Sequence, residues 1–175
     1  AVSSSKIRAA LAAGDVARAN ALLGYRWFVM ASVRHGDKRG RTLGYPTANL
    51  ALADCGLAHG IYAVRVGLPD GTVKDGVASY GRRPTFDDGA PLLEVNLFDF
   101  SGDLYGRQLA VEFIAYPRPE ERSRTATALT AQMHPADAAA RSALAHDDTA
   151  TVLGCITQHP RLSFHPLAIR LPLDI

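Results

Sequence analysis

The sequence predicts a mainly β protein, a small closed antiparallel barrel with short helices before it and a helix after it. From Tyr25 onward, YRWFVMASVRHG, GIYAVRVGLPDG, TVKDGVASYG, LLEVNLFDFSG and QLAVEFIAYP are short runs rich in β-branched and aromatic residues, each bounded by Gly, Pro or Asp-Gly turns. Alternation in AVRVGL and EVNLF gives each such strand one buried and one outer face. Strands this short, five or six in number, bury those faces most economically by closing on themselves.

Each element has its own signals. SSSKIRAALAAG offers Ser5 as an N-cap, Ile7, Ala10 and Leu11 at helical spacing, and Gly14 as a stop. DVARANALLG repeats the scheme with Asp15 as cap, Val16, Ala19, Leu22 and Leu23 on one side, and Gly24 at the end. Asp70-Gly71 between two β runs predicts a hairpin. After Pro117 the β texture stops. Thr125 to Leu144 is rich in Ala, with Leu129, Met133 and Leu144 at helical spacing, and predicts a helix interrupted at Pro135. Residues 146–175 show no clear period, and neither a fold nor a role is assigned to them.

At 175 residues the chain suits one functional unit with a proper core and some appended structure. An apolar fraction of 47% and a charged fraction of 21% are ordinary for a globular protein, and no run approaches the roughly 18 apolar residues of a membrane helix. A net charge of +2 demands no broad nucleic-acid or membrane footprint, so no nucleic-acid or membrane partner is expected. Cys55 and Cys155 lack CxxC spacing and lie far apart, which argues against a zinc site or a disulfide framework and for a reducing cytoplasm. No signal peptide opens the chain, and its first residue, Ala1, suggests a piece of something longer. The histidines lack metal-ligand spacing, and no G-x-S-x-G elbow is present.

RHGDKRGRTLGYPTANL, from Arg34 to Leu50, carries unusual charge and backbone freedom between two apolar segments. Gly36, Gly40 and Gly44 permit close backbone approach to a ligand, and successive N–H groups can cradle phosphate oxygens. Lys38, Arg39 and Arg41 add charge for the same ligand, although the Walker A pattern is absent. In Pro46-Thr47-Ala48-Asn49 the Thr47 hydroxyl and Asn49 amide oxygen are hard donors two residues apart, on one side of an extended segment, as two ligands of one Mg²⁺ must be. The same residue types also suit a glycine-rich surface hairpin ending in an Asn-capped turn. Glu94, in LLEVNLFDF, lies on the side of Asn96, opposite Leu93 and Val95. It is a general base if the barrel interior opens to a cleft there, and otherwise a solvated outward carboxylate.

Taken together, HGDKRGRTLGYPTANL, GIYAVRV, GVASYGRRPTF and LLEVNLFDFSGDLYGRQLAVEFIAYPRPE resemble the riboflavin kinase module at the C-terminal end of bacterial bifunctional riboflavin kinase/FAD synthetases, from about Leu23 to Arg141. The resemblance implies a six-stranded Greek-key barrel and transfer of the ATP γ-phosphate to the ribityl 5′-hydroxyl of riboflavin, giving FMN. It implies that Gly36, Asp37, Lys38, Arg39, Gly40, Arg41 and Gly44 wrap the nucleotide phosphates, and that Thr47 and Asn49 bind Mg²⁺ and phosphate oxygens. Glu94 becomes the base for the ribityl hydroxyl, and Arg118 to Glu120 begin a flap over the flavin.

The chain departs from the family pattern at Ser123 and Ala126, where the flap's usual Phe and Leu are absent, and at Asn96, where His is common. Those departures motivate the alternative of a non-catalytic flavin or nucleotide module. The opening SSSKIRAALAAGDVARANALLG resembles the S-S-T-x-I-R end of the adenylyltransferase domain that precedes the kinase in such enzymes, without that domain's H-x-G-H motif. The expected organisation is a helical remnant of that domain over 1–24, a kinase barrel with its terminal helix over 25–145, and a tail over 146–175. In the full-length protein the partner is then the adenylyltransferase domain.

Overall fold

In the computed structural model, residues 3–34, 47–52, 55–82, 91–119, 137–146 and 153 are described, with backbone alone over 116–119. Helix α1 spans Ser4–Ala12 and α2 spans Val16–Leu23; six strands follow, β1 (Phe28–Arg34), β2 (Thr47–Ala51), β3 (Gly60–Gly67), β4 (Val73–Arg82), β5 (Pro91–Leu97) and β6 (Gln108–Pro119). Residues 137–145 form a further helix, α3. The expected helix interruption at Pro135 and nearly all of 146–175 lie outside the described residues.

Local chemistry explains most of these boundaries. The N-cap of α1 is Ser3 in place of the expected Ser5, and its side chain accepts from the Lys6 N–H. Three successive serines offer equivalent caps, and the helix starts at the first of them, with Ile7, Ala10 and Leu11 buried. Asp15 caps α2 by accepting from the Arg18 N–H, and Gly24 ends it in the left-handed conformation, both as expected.

The hairpin at Asp70-Gly71 joins β3 to β4, with Gly67 opposite Val73. The Asp70 carboxylate accepts from the Thr72 hydroxyl at 2.7 Å and from its N–H at 2.9 Å. The hydroxyl first and the N–H second hold the Asp70 carboxyl below its usual 3.8. A depressed carboxyl stabilises the fold above its unfolded pKa, and the contribution fades as pH falls through the folded value. Thr72→Val is therefore expected to flatten the acid-side fall of melting temperature below about pH 4, measured by thermal melts across that range.

The strands close in the order β1-β2-β5-β4-β3-β6, with β6 returning to β1, and every strand pairing among the described residues is antiparallel. Strands β3, β4 and β5 follow one another as neighbours while β2 lies beside β5, which is a Greek key. The pairing of β3 with β6 shifts register twice between Ile61 and Val64. Pro117 falls within this interrupted stretch, where a missing N–H costs no ladder bond.

Leu50, Tyr62, Val64, Leu93, Val95, Val111 and Phe113 fill the interior. Tyr62 packs edge-on against Phe113 at 5.3 Å, and Trp27 meets the same ring at 5.1 Å. Helices α1 and α2 contribute Ile7, Ala10, Leu11, Val16 and Ala19 to this same core. Asn20 binds α2 to the barrel from both sides of its amide, donating to the Phe113 carbonyl at 2.9 Å and accepting from the Trp27 N–H at 2.7 Å. A carbonyl of α1, on Leu11, accepts from the Ala58 N–H at 2.9 Å, fixing the segment that leads into β3.

A second, smaller core lies outside the barrel. Ala140 and Leu144 of α3 pack onto Ile61, Ala63, Val77, Phe98 and Ile114. The Arg141 guanidinium sits 4.0 Å over the Phe98 ring, and Arg65 donates to the Leu144 carbonyl at 3.0 Å, satisfying one of the helix's terminal acceptors.

Gly76 lies where the β5 backbone leaves no room for a side chain: a Cβ there would stand 2.5 Å from the Asn96 carbonyl oxygen. Gly76→Ala is expected to destabilise by about 1–3 kcal/mol in urea unfolding, since two backbones would have to separate. An unchanged midpoint would mean that the strands can part freely there.

Candidate functional site

Strand β2 carries the site into the barrel wall. Thr47 and Asn49 alternate with Leu50, which is fully buried in the interior, so both donors stand on the outer face. Thr47-Ala48-Asn49-Leu50-Ala51 takes its extended form from pairing with β1 on one side and β5 on the other. The two oxygen donors thus have the common direction that their spacing predicts.

Opposite Asn49 stands Glu94, and opposite Thr47 stands Asn96. Directly paired residues of antiparallel strands hold their Cβ atoms about 4.5–5.5 Å apart on one face, within side-chain reach of a shared ligand. Leu93 and Val95, flanking Glu94, are fully buried inside. The barrel interior is filled at this level, so Glu94 does not look into an internal cleft. It faces outward, half-buried, among polar neighbours.

The register extends this arrangement into a row around the outside of the barrel: Arg34, Asn49, Glu94, Ser79, Ile61 and Arg118, one from each strand in the order β1, β2, β5, β4, β3, β6. A parallel row runs Thr47, Asn96, Val77, Ala63, Ala115. Its Ala63 and Val77 lie beneath α3, and Asn96, 6% exposed, stands at the margin of that cover. The site is therefore polar on the side of β2 and β5 and walled by the α3 layer on the side of β3.

Of the residues singled out in the sequence, Thr47, Asn49 and Glu94 come together. Arg118 is in register with Ile61, at the far end of the same row, and only its backbone is described. Gly36, Asp37, Lys38, Arg39, Gly40, Arg41, Gly44 and Glu120 lie outside the described residues. Ser79 is a member of the row that residue patterns gave no reason to select. A serine in a β run is ordinary, and its place beside Glu94 depends on register between β4 and β5. Among the described residues, no group of three or more His, Cys, Asp or Glu side chains forms a metal cage.

On its outer wall the Greek-key barrel sets a carboxylate opposite a strand that carries two oxygen donors. The family model described as "Flavokinase: Riboflavin kinase" matches residues 23–144, and the chain belongs to the riboflavin kinase family. Among curated relatives, the bifunctional riboflavin kinase/FMN adenylyltransferase of Bacillus subtilis is 43% identical over 137 residues, which is 75% of this chain and 43% of that protein. That of Haemophilus influenzae is 47% identical over 113 residues, covering 64% of this chain and 37% of its own length. The chain thus spans less than half the length of these relatives, whose descriptions add an adenylyltransferase to the kinase. A solved chain described as a macrolide-efflux protein from Streptococcus pneumoniae is 37% identical, with a TM-score of 0.72 over 80% of this chain and 46% of that one.

No helix among the described residues is long and apolar enough to cross a membrane.

Proposed function

We propose that this protein is an ATP-dependent riboflavin kinase that moves the γ-phosphoryl group of ATP to the ribityl 5′-hydroxyl of riboflavin. The observation that carries the reading is the direct pairing of Asn49 with Glu94 on the outer wall of a riboflavin kinase barrel. Glu94 accepts the hydroxyl proton as the new P–O bond forms, so the nucleophile is oriented and deprotonated at one carboxylate oxygen. Asn49 and Thr47, two hard oxygen donors on one face, suit Mg²⁺, and these residues would hold it with phosphate oxygens. When bound, Mg²⁺ neutralises charge on the phosphate oxygens.

The glycine-rich run containing Gly36, Asp37, Lys38, Arg39, Gly40, Arg41 and Gly44 wraps the nucleotide phosphates in this reading. Arg118 and Glu120 begin the cover over the flavin, which keeps water from competing with the ribityl hydroxyl. In the full-length protein an adenylyltransferase domain precedes the barrel, and α1 carries its last motif. The protein works in the cytoplasm. Incubation with riboflavin and Mg-ATP is expected to yield FMN and ADP in equal amounts, read by chromatography. Riboflavin binding without ADP release would replace the enzyme with a flavin-binding module.

A further inference from the structure

Arg34 ends β1, and the register sets it directly opposite Asn49. Its neighbour Val33 is buried in the interior and pairs with interior Leu50, so alternation turns Arg34 to the outer face that carries Asn49 and Glu94. Arg34 is exposed there. Across the wall the order is Arg34, Asn49, Glu94, with the amide in the middle and the cation and carboxylate one strand away on either side. Strand spacing separates the Arg34 and Glu94 attachment points by about 10 Å, so a ligand lying across Asn49 can meet both side chains.

In-line transfer places the leaving oxygen on the far side of phosphorus from the attacking hydroxyl. With the hydroxyl at Glu94 and phosphate oxygens at Asn49, the far side is that of β1. We infer that Arg34 holds the diphosphate end of the nucleoside triphosphate, donating from its guanidinium to β-phosphate oxygens. As the bond between the γ-phosphorus and the bridging oxygen breaks, the electron pair stays on that oxygen, and Arg34 faces the charge that develops. The hydroxyl oxygen forms the new bond to phosphorus, and its proton goes to Glu94. A guanidinium suits this place because its planar fork meets two phosphate oxygens at once, and its charge persists at any working pH. This assignment rests on the reading of Asn49 and Glu94 given under Proposed function.

The test compares Arg34→Gln and Arg34→Lys with the unaltered protein, using Mg-ADP affinity by calorimetry and the KM values for Mg-ATP and riboflavin separately. Arg34→Gln is expected to weaken Mg-ADP about tenfold or more, to raise the KM for Mg-ATP in step, and to leave the KM for riboflavin unchanged. Arg34→Lys, which keeps the charge but not the fork, is expected to recover part of the loss. Unchanged Mg-ADP affinity in Arg34→Gln overturns the assignment. So does a parallel loss of nucleotide and riboflavin affinity, which would make Arg34 a support of β1 alone. Glu94→Gln keeps the two readings apart: turnover retained there removes the base, whereas selective loss of Mg-ADP in Arg34→Gln still sets Arg34 at the diphosphate.

Discussion

Glu94→Gln is expected to lower the rate of FMN formation by about 10²–10⁴-fold while riboflavin and Mg-ADP bind with little change. The glutamine keeps the size of the side chain and its hydrogen-bonding reach but has no basic carboxylate, so binding survives and proton acceptance is lost. Glu94→Ala is expected to be equally inactive. The structural risk is small, because the side chain is half-buried on the outer wall and the strand is held by Leu93 and Val95, which point the other way. Single-turnover measurement of FMN formation checks the chemical step directly. Wild-type turnover in the glutamine variant would remove Glu94 from the base role and leave the row as a binding surface.

Glu112→Ala is expected to destabilise the protein by about 3–5 kcal/mol, since it strands a buried cation. Glu112 is fully buried on β6, and Arg26, 1% exposed, meets it at 3.4 Å. On either side of Glu112 in the sheet stand Phe28 and Arg65, and Arg65 also holds the end of α3, so the pair lies where the chain entering β1, the barrel and α3 meet. Two charges removed from water are held by each other, and deleting one leaves the full desolvation penalty on its partner. The double replacement Arg26→Met with Glu112→Leu is expected to recover most of the loss, because neither charge then remains to be solvated. Urea unfolding of the single and double variants checks both statements; a loss below about 1 kcal/mol in Glu112→Ala would class the pair with exposed ones.

The sequence made the repeating parts of this fold legible. Asp15 and Gly24 bracket α2 because both signals act within a turn of the helix, and the Asp70-Gly71 hairpin is equally local. Strand β2 was harder, since Thr47-Ala48-Asn49 has little intrinsic β preference and is extended by its neighbours. The start of α1 was ambiguous because three successive serines are equivalent caps by residue type. The site divided in the same way. Thr47, Asn49 and Glu94 were found as residues with suitable chemistry, but Arg34 and Ser79 owe their places to pairings between segments distant in the chain. Alternation gives the face of each side chain, whereas only register tells which neighbour it meets.

The way α1 and α2 are built into the barrel bears on how such proteins can be recombined. Ile7, Leu11, Val16 and Ala19 share a core with Trp27 and Phe113, and Asn20 grips the backbone of β6 and the lead-in to β1. A crossover placed at Tyr25, where the β-rich sequence begins, would pair one ancestor's helices with another's barrel and mismatch that shared core. A crossover ahead of Ser3 would leave the helices with the strands they fit. Heritable exchange of this unit is therefore expected to carry α1 and α2 along with the six strands.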